Sequence, residues 1–594
     1  MSDLIGWVMT PRPATARSSG RPVARPGFVA RLLSLALVGG LAFGQTATDL
    51  VDPPSAAWPQ HGRTPDGQRF SPLSHIDVTN VDRLRLVWSQ ELGEPAGHLS
   101  PAVWESTLVV SIPDGLVALD AATGETRWTY RAETATGAGA VALPERAPRG
   151  APVIMHGRVY TALRDPIVVA VDFVDGSEVW RTDVGLEGLA EGFSSNPIAA
   201  GESIVVGPSN ADFGAAPGRI VAIDPNDGSV RWTFFLVPQE ESDPAHSTWQ
   251  PMAPTWRWGI GGASAWNVGV FDPVTRTVLY GTGQPVPSER LDQRRRNDGD
   301  ASADHYSSGF VALDADTGAL RWFHQVVPGD EWEYDQHTVP VVVDLETDDG
   351  TPRRAALLAT TTGFLVAVDM TDGAIVDTHQ LAPDSNVHLG YDAGGRAIID
   401  ASMRHLGERE ATQVCPGSRW ANVAPGAYSP LTGLLYRPND TVCERQGLRP
   451  SVHEDAADDF GNVWMHARPR QGEDYYERWG ALSAIDPISG AVVWEFASEY
   501  PHDAGVLATA GGLVFSVFAD RVFRAFDAGT GAVLFEQVLT SHGDGSPITY
   551  EVDGTQYVAV IVGHASGVEG IPGTGLPRSV SGPAVLFVFA LDGP

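Results

Sequence analysis

LVALDAATGETRW, residues 116–128, decides the fold, because the chain repeats its pattern seven times. The other copies are VVAVDFVDGSEVW (168–180), IVAIDPNDGSVRW (220–232), FVALDADTGALRW (310–322), LVAVDMTDGAIVD (365–377), LSAIDPISGAVVW (482–494) and FRAFDAGTGAVLF (523–535). Each has an Asp with Gly four residues on, and five have a Trp four residues after that. Alternating apolar residues mark a strand. The Asp can bond its own turn backbone, the Gly can take positive φ, and the Trp starts a second strand and needs a place to bury its ring. Successive Asp residues are 52, 52, 90, 55, 117 and 41 apart. Periods near 40–55 predict one four-stranded blade per repeat and hence an all-β propeller. The two long intervals are double periods or carry insertions. Either way there is room for an eighth blade, in which Val585–Leu591 pairs with an N-terminal strand.

Working outward, 65 Gly and 44 Pro fit a turn-rich β chain. The net charge of −33 argues against nucleic acid and anionic membrane surfaces as partners. All forty basic residues are Arg. Residues 4–48 lack Asp and Glu, and five Arg residues precede the apolar run Leu32–Gly44, which reads as a secretory signal. The run is short for a membrane span, which needs about 20 residues, though a retained anchor is the alternative. Residues 1–47 are therefore expected to be signal and extension, and 48–594 one propeller. In an exported, periplasmic chain the only two cysteines, Cys415 and Cys443, read as a disulfide. Closing that loop of about 29 residues is worth about 3.6 kcal/mol. Neither cysteine lies in a haem-attachment motif, so no attached haem is expected.

WPQHGRTPDGQRFSPLSHIDVTNVDRLRLVW (58–88) resembles the N-terminal signature of the pyrroloquinoline quinone (PQQ) dependent alcohol, methanol and glucose dehydrogenases. GTGQPVP (281–287), DEWEYD (330–335), CPGSRW (415–420), AYSPLTGLLY (427–436), GVLATAGGLVF (505–515) and SPITYEVDGTQYVAV (546–560) continue the likeness in order. The resemblance implies an eight-bladed β-propeller holding PQQ and a metal, calcium or a lanthanide, in its axial cavity. It further implies oxidation of an alcohol, polyol or sugar, with electrons leaving to a cytochrome c or membrane quinone.

The same resemblance assigns residues. Trp266 maps to the apolar floor under the quinone, although it also reads as another docking Trp; it lies outside every repeat copy. Arg149, in PRG where the family has NRG, maps to a carboxylate partner, with Ser194 as a further cofactor contact. Asp212 and Gln284 map to metal ligands, each a methylene away from the family's Glu and Asn. Glu333 maps to the general base and a ligand. Asp335 maps to the second acid that lanthanide users carry, and extra negative charge favours a more highly charged ion. Thr361 stands where the family places a Lys or Arg on the quinone oxygens; it keeps a donor but brings no charge. Leu143 and Pro144 replace the vicinal cysteines of the alcohol branch. Ser288–Ser308 reads as a lid or a surface loop. The alternative function is a non-catalytic propeller of the same repeat class, acting as a scaffold or ligand sensor.

Overall fold

Each repeat copy folds as the outer half of a four-stranded antiparallel blade. In the first, Gly115–Asp120 and Thr126–Arg131 follow Ala102–Trp104 and Thr107–Ile112, in sheet order as in sequence. Asp120 Oδ1 accepts from the backbone N–H groups of Ala122 (3.0 Å) and Thr123 (2.9 Å), and Gly124 closes the turn at φ 78°. The computed structural model describes residues 46–93, 97–133, 148–187, 189, 191–209, 216–249, 262–286, 303–346, 350–404, 412–417, 423–440, 443–446, 480–563 and 582–591. The apolar run 32–44, Asp212, and Ser288–Ser308 up to residue 302 lie outside these.

All seven copies occupy successive blades, so the two long intervals carry insertions rather than missing blades. Blade 8 is built from Ile548–Val552, Thr555–Val562 and Ala584–Leu591, and is closed by Leu84–Gly93 from the other end of the chain. This pairing joins the N-terminal part of the described chain to its C-terminal strand. No helix among the described residues is long and apolar enough to cross a membrane.

The repeat's Trp finds its place on the next blade. A Cβ added to Gly176 would meet the Trp128 ring at 2.6 Å, and Trp128 Nε1 donates to Phe173 O at 3.0 Å. Trp180, Trp232, Trp322 and Trp494 repeat this on Gly228, Gly318, Gly373 and Gly531, with Nε1 bonds to Pro225, Ala315, Met370 and Ala528. The turn Gly thus serves twice: its φ is left-handed, and only a missing side chain lets the indole lie flat on it. Trp88, on the strand that closes blade 8, docks on Gly124 in the same way. The two copies without Trp differ. Asp377 stands opposite Ala367, where Trp128 stands opposite Ala118, but the ring against Gly490 belongs to His379. Phe535 instead packs on Phe523 and Phe589.

The N-terminal signature folds as an arm crossing the inner strands. Its backbone bonds, in chain order, Glu551 of blade 8 (from Ala56), Val103 of blade 1 (Trp58) and Ile154 of blade 2 (Pro59). It continues to Phe271 of blade 4 (Pro65), Val342 of blade 5 (Asp66), Tyr428 of blade 6 (Gln68) and Ala508 of blade 7 (Arg69). Fully buried Arg69 donates to Val506 O (2.8 Å), Pro547 O (2.6 Å) and His61 O, so one guanidinium ties both ends of the arm to blades 7 and 8.

Candidate active site

Strand polarity separates the docking turns from the site. The turns follow the third strand of each blade. The loops entering the first strand and leaving the second therefore lie at the opposite end of an antiparallel blade. Arg149, Ser194, Trp266, Glu333 and Asp335 sit on entering loops; Gln284 and Thr361 sit just after second strands, Thr277–Gly281 and Pro352–Ala359.

Five of these residues form one connected group. Arg149 N donates to Ser194 O at 2.8 Å, and Ser194 Oγ donates to Trp266 O at 2.7 Å. The Arg149 guanidinium lies 5.0 Å from the centre of the half-buried Trp266 ring, at cation–π distance. Trp266 Nε1 donates to Asp335 Oδ2 at 2.8 Å, and the backbone N–H of Gln284 donates to Asp335 Oδ1 at 2.6 Å. Asp335 therefore couples Trp266 to the loop that carries Gln284. Gln284 is 7% exposed, and its Oε1 has no hydrogen-bond partner among the described residues. A buried amide oxygen left bare costs about 1–3 kcal/mol.

The DEWEYD loop follows a period of two. Trp332, Tyr334 and Gln336 are buried, whereas Glu333, Asp335 and His337 are only half-buried. Asp335 and His337 both reach Trp266, His337 with ring centres 5.2 Å apart. Glu333 takes a left-handed φ of 58°. Asp330, fully buried at the start of the loop, accepts from Trp332 N (2.8 Å), Tyr334 N (2.8 Å) and Ser308 Oγ (2.9 Å). Burial pushes its carboxyl up to about 6, with the charge of Glu333 adding and those three bonds opposing.

Thr361 is placed differently from a residue that reaches into a cavity. It is fully buried, its hydroxyl accepts from Gln336 Nε2 at 2.7 Å, and its backbone N–H donates to Gln336 Oε1 at 3.2 Å. Arg353 and Arg354 do not replace the missing cation. They lie at the far end of the preceding strand, where Arg354 pairs with Asp272 (3.0 Å) and Asp344 (3.4 Å), and Arg353 with Asp369 (3.2 Å). The Cys415–Cys443 disulfide is formed. Its neighbour Pro416 accepts from the Tyr334 hydroxyl at 2.6 Å, which fastens the cysteine loop to the acidic one.

Sequence reasoning passed over Asp330 and Gln336. The alternation from 332 to 337 separates buried from half-buried side chains, and Gln336 falls on its buried phase.

The donor set fits a hard cation beside a flat ligand: an amide oxygen without a partner among the described residues, carboxylates, an indole and a guanidinium. The fold is an eight-bladed propeller, and these residues gather at one end of its blades. The family model described as "PQQ: Glucose/ethanol/alcohol dehydrogenase, beta-propeller domain" matches residues 58–383 and 470–558. A quinohemoprotein alcohol dehydrogenase of Comamonas testosteroni is 30% identical over 96% of this chain and 83% of its own. A lanthanide-dependent methanol dehydrogenase of Methylacidiphilum fumariolicum is 28% identical over 94% and 97%. Among solved structures, a europium-containing methanol dehydrogenase superposes with a TM-score of 0.78 at 26% identity, covering 91% of this chain and 99% of that one. The chain belongs to the PQQ-dependent alcohol dehydrogenase family, oxidoreductases acting on CH–OH groups.

Proposed function

We propose that the chain is an exported dehydrogenase that oxidises an alcohol, polyol or sugar at the mouth lined by Trp266 and Glu333. The observation that carries this is the Trp266–Asp335–Gln284 chain of contacts ending in Gln284 Oε1, which has no hydrogen-bond partner among the described residues. Gln284 Oε1, Asp335 and Glu333, with Asp212, would hold the metal. Trp266 would form the floor for PQQ, and Arg149, anchored through Ser194, would meet its carboxylates. When bound, PQQ with its metal would supply the acceptor for the hydride of the carbinol carbon. Glu333 takes the hydroxyl proton, and a base so placed contributes about 10²–10⁴-fold. Asp335 keeps Trp266 and the Gln284 loop in register. The carboxylates favour a trivalent ion over calcium on charge alone. Residues 1–47 would direct export, and a cytochrome c or membrane quinone would take the electrons.

Thr361 and Gln336 favour a slower enzyme than one with a cation at that place, because two neutral groups bonded to each other stabilise no developing charge. The test is to titrate apoprotein with PQQ plus calcium or lanthanum, following binding by fluorescence and turnover by dye-linked oxidation of an alcohol and sugar panel. Saturable binding with turnover, tighter with lanthanum, is expected. Absence of binding with either ion overturns the reading.

A further inference from the structure

We propose that Asp330 is the positioning residue for Glu333, holding that side chain at the cavity by pinning the backbone on both sides of it. This rests on the reading of Glu333 as the base. The geometry is local and complete. Asp330 Oδ1 accepts from the N–H of Trp332, the residue before Glu333, and Oδ2 accepts from the N–H of Tyr334, the residue after it, each at 2.8 Å. Between those two amides Glu333 is held at φ 58°, a conformation L side chains adopt rarely and keep only when their surroundings over-determine it. One carboxylate supplies that constraint.

Two further contacts fix the carboxylate and the ring beside it. Ser308 Oγ donates to Oδ2 at 2.9 Å, and Val326 N and Val327 N both donate to Ser308 O, which ties Ser308 to the segment leading into the loop. On the other side Trp332 is fully buried, its Nε1 donates to Met403 O at 3.3 Å, and Arg404 lies 5.5 Å from its ring centre. The loop is thus clamped at Trp332 and Tyr334, on either side of the half-buried Glu333.

Two measurements on full-length protein test this. In the holoenzyme, Asp330→Asn is expected to lower kcat about 100-fold, the scale of a roughly 1 Å misplacement, with KM changed less than about threefold. Ser308→Ala, which removes one of the three bonds, is expected to lower kcat less. In apoprotein, thermal unfolding of Asp330→Asn, Glu333→Gly and the double variant forms a cycle that needs no cofactor. Gly carries no penalty at positive φ, so the melting-temperature drop caused by Asp330→Asn is expected to be at most half as large in the Glu333→Gly background. Equal drops in both backgrounds, or a KM effect with kcat unchanged, overturn the proposal. If Asp330→Asn does not fold, Ser308→Ala in the same cycle decides by the same criterion. Failure of PQQ turnover in the unmodified chain would sink the functional reading while leaving the apoprotein cycle to report on Asp330.

Discussion

At the turn end of the propeller, one small set of contacts is written out again and again: an Asp turn, a left-handed Gly and an indole lying on it. At the mouth nothing repeats. Arg149, Ser194, Trp266, Gln284 and Asp335 come from blades 2 to 5, each contributes a different chemical group, and they meet through single hydrogen bonds. Repetition spreads stability over many equivalent seats, so the loss of one is tolerable. The mouth has no such redundancy. The N-terminal arm lies between the two regimes: it is one unrepeated segment, yet it bonds seven of the eight blades.

The largest expected effect therefore falls on the arm. Arg69→Ala would leave the carbonyls of His61, Val506 and Pro547 without their buried donor and remove the cation from over the Trp58 ring, 5.3 Å away. Unsatisfied buried acceptors cost about 1–3 kcal/mol each, so a loss of about 4 kcal/mol or more is expected in urea unfolding. A change within about 1 kcal/mol would break the picture of the arm as a clasp, since surface substitutions commonly do no more.

A second effect is read through pH, at three buried histidines outside the docking seats. Burial holds His324, His388 and His502 down to about 4. Around His388, the Gly390 carbonyl opposes that shift and the charge of His324 adds to it. Around His502, Ala481 O, Asp503 and Asp520 oppose it and Arg524 adds. All three are buried; His502, for example, stacks on Phe518 at 3.8 Å and shares a 2.7 Å bond with Ser516 Oγ. A histidine whose folded pKa lies below its unfolded value of about 6.5 takes up its proton first in the unfolded chain. Their contribution is therefore intact above about pH 6.5 and is lost as pH falls toward 4, by about 3 kcal/mol for each. His502→Asn should lower the melting temperature at pH 7 yet flatten the acid limb by one proton. An unchanged acid slope would place the titration elsewhere.

How much of this was legible follows from the same contrast. A repeated code can be read from one chain because each copy checks the others, so Trp128 and Gly176 announce their blades without a structure. Blade 8 was readable from its two ends, Val585–Leu591 and an N-terminal strand, although it carries no copy of the code. The mouth was readable only through resemblance, because Gln284 and Asp335 are 51 residues apart and nothing in their spacing says they meet. The resemblance also offered Thr361 as a cofactor contact; the bond to Gln336 that buries it depends on how two loops from blade 5 pack, which no local pattern encodes. The arm is the intermediate case: its string was recognisable as a signature, but its circuit of the blades was not.

The smallest effect tests whether a docking seat needs its indole. In blade 5 the position opposite Ala367 is Asp377, and the seat on Gly490 is filled by His379, two residues on and on the same face of the strand. The defect read in the sequence at Asp377 is thus already repaired by a smaller ring. Asp377→Trp brings an indole to an occupied seat, so stability should move by less than about 1 kcal/mol. His379→Ala empties the seat and should cost about 1–2 kcal/mol, as loss of a partly buried ring contact does. With the seat emptied, Asp377→Trp should recover most of that loss in urea unfolding. The two substitutions must then be non-additive, because they compete for one glycine. Additive effects would mean that the two residues do not share the seat, and that blade 5 is held to blade 6 without docking.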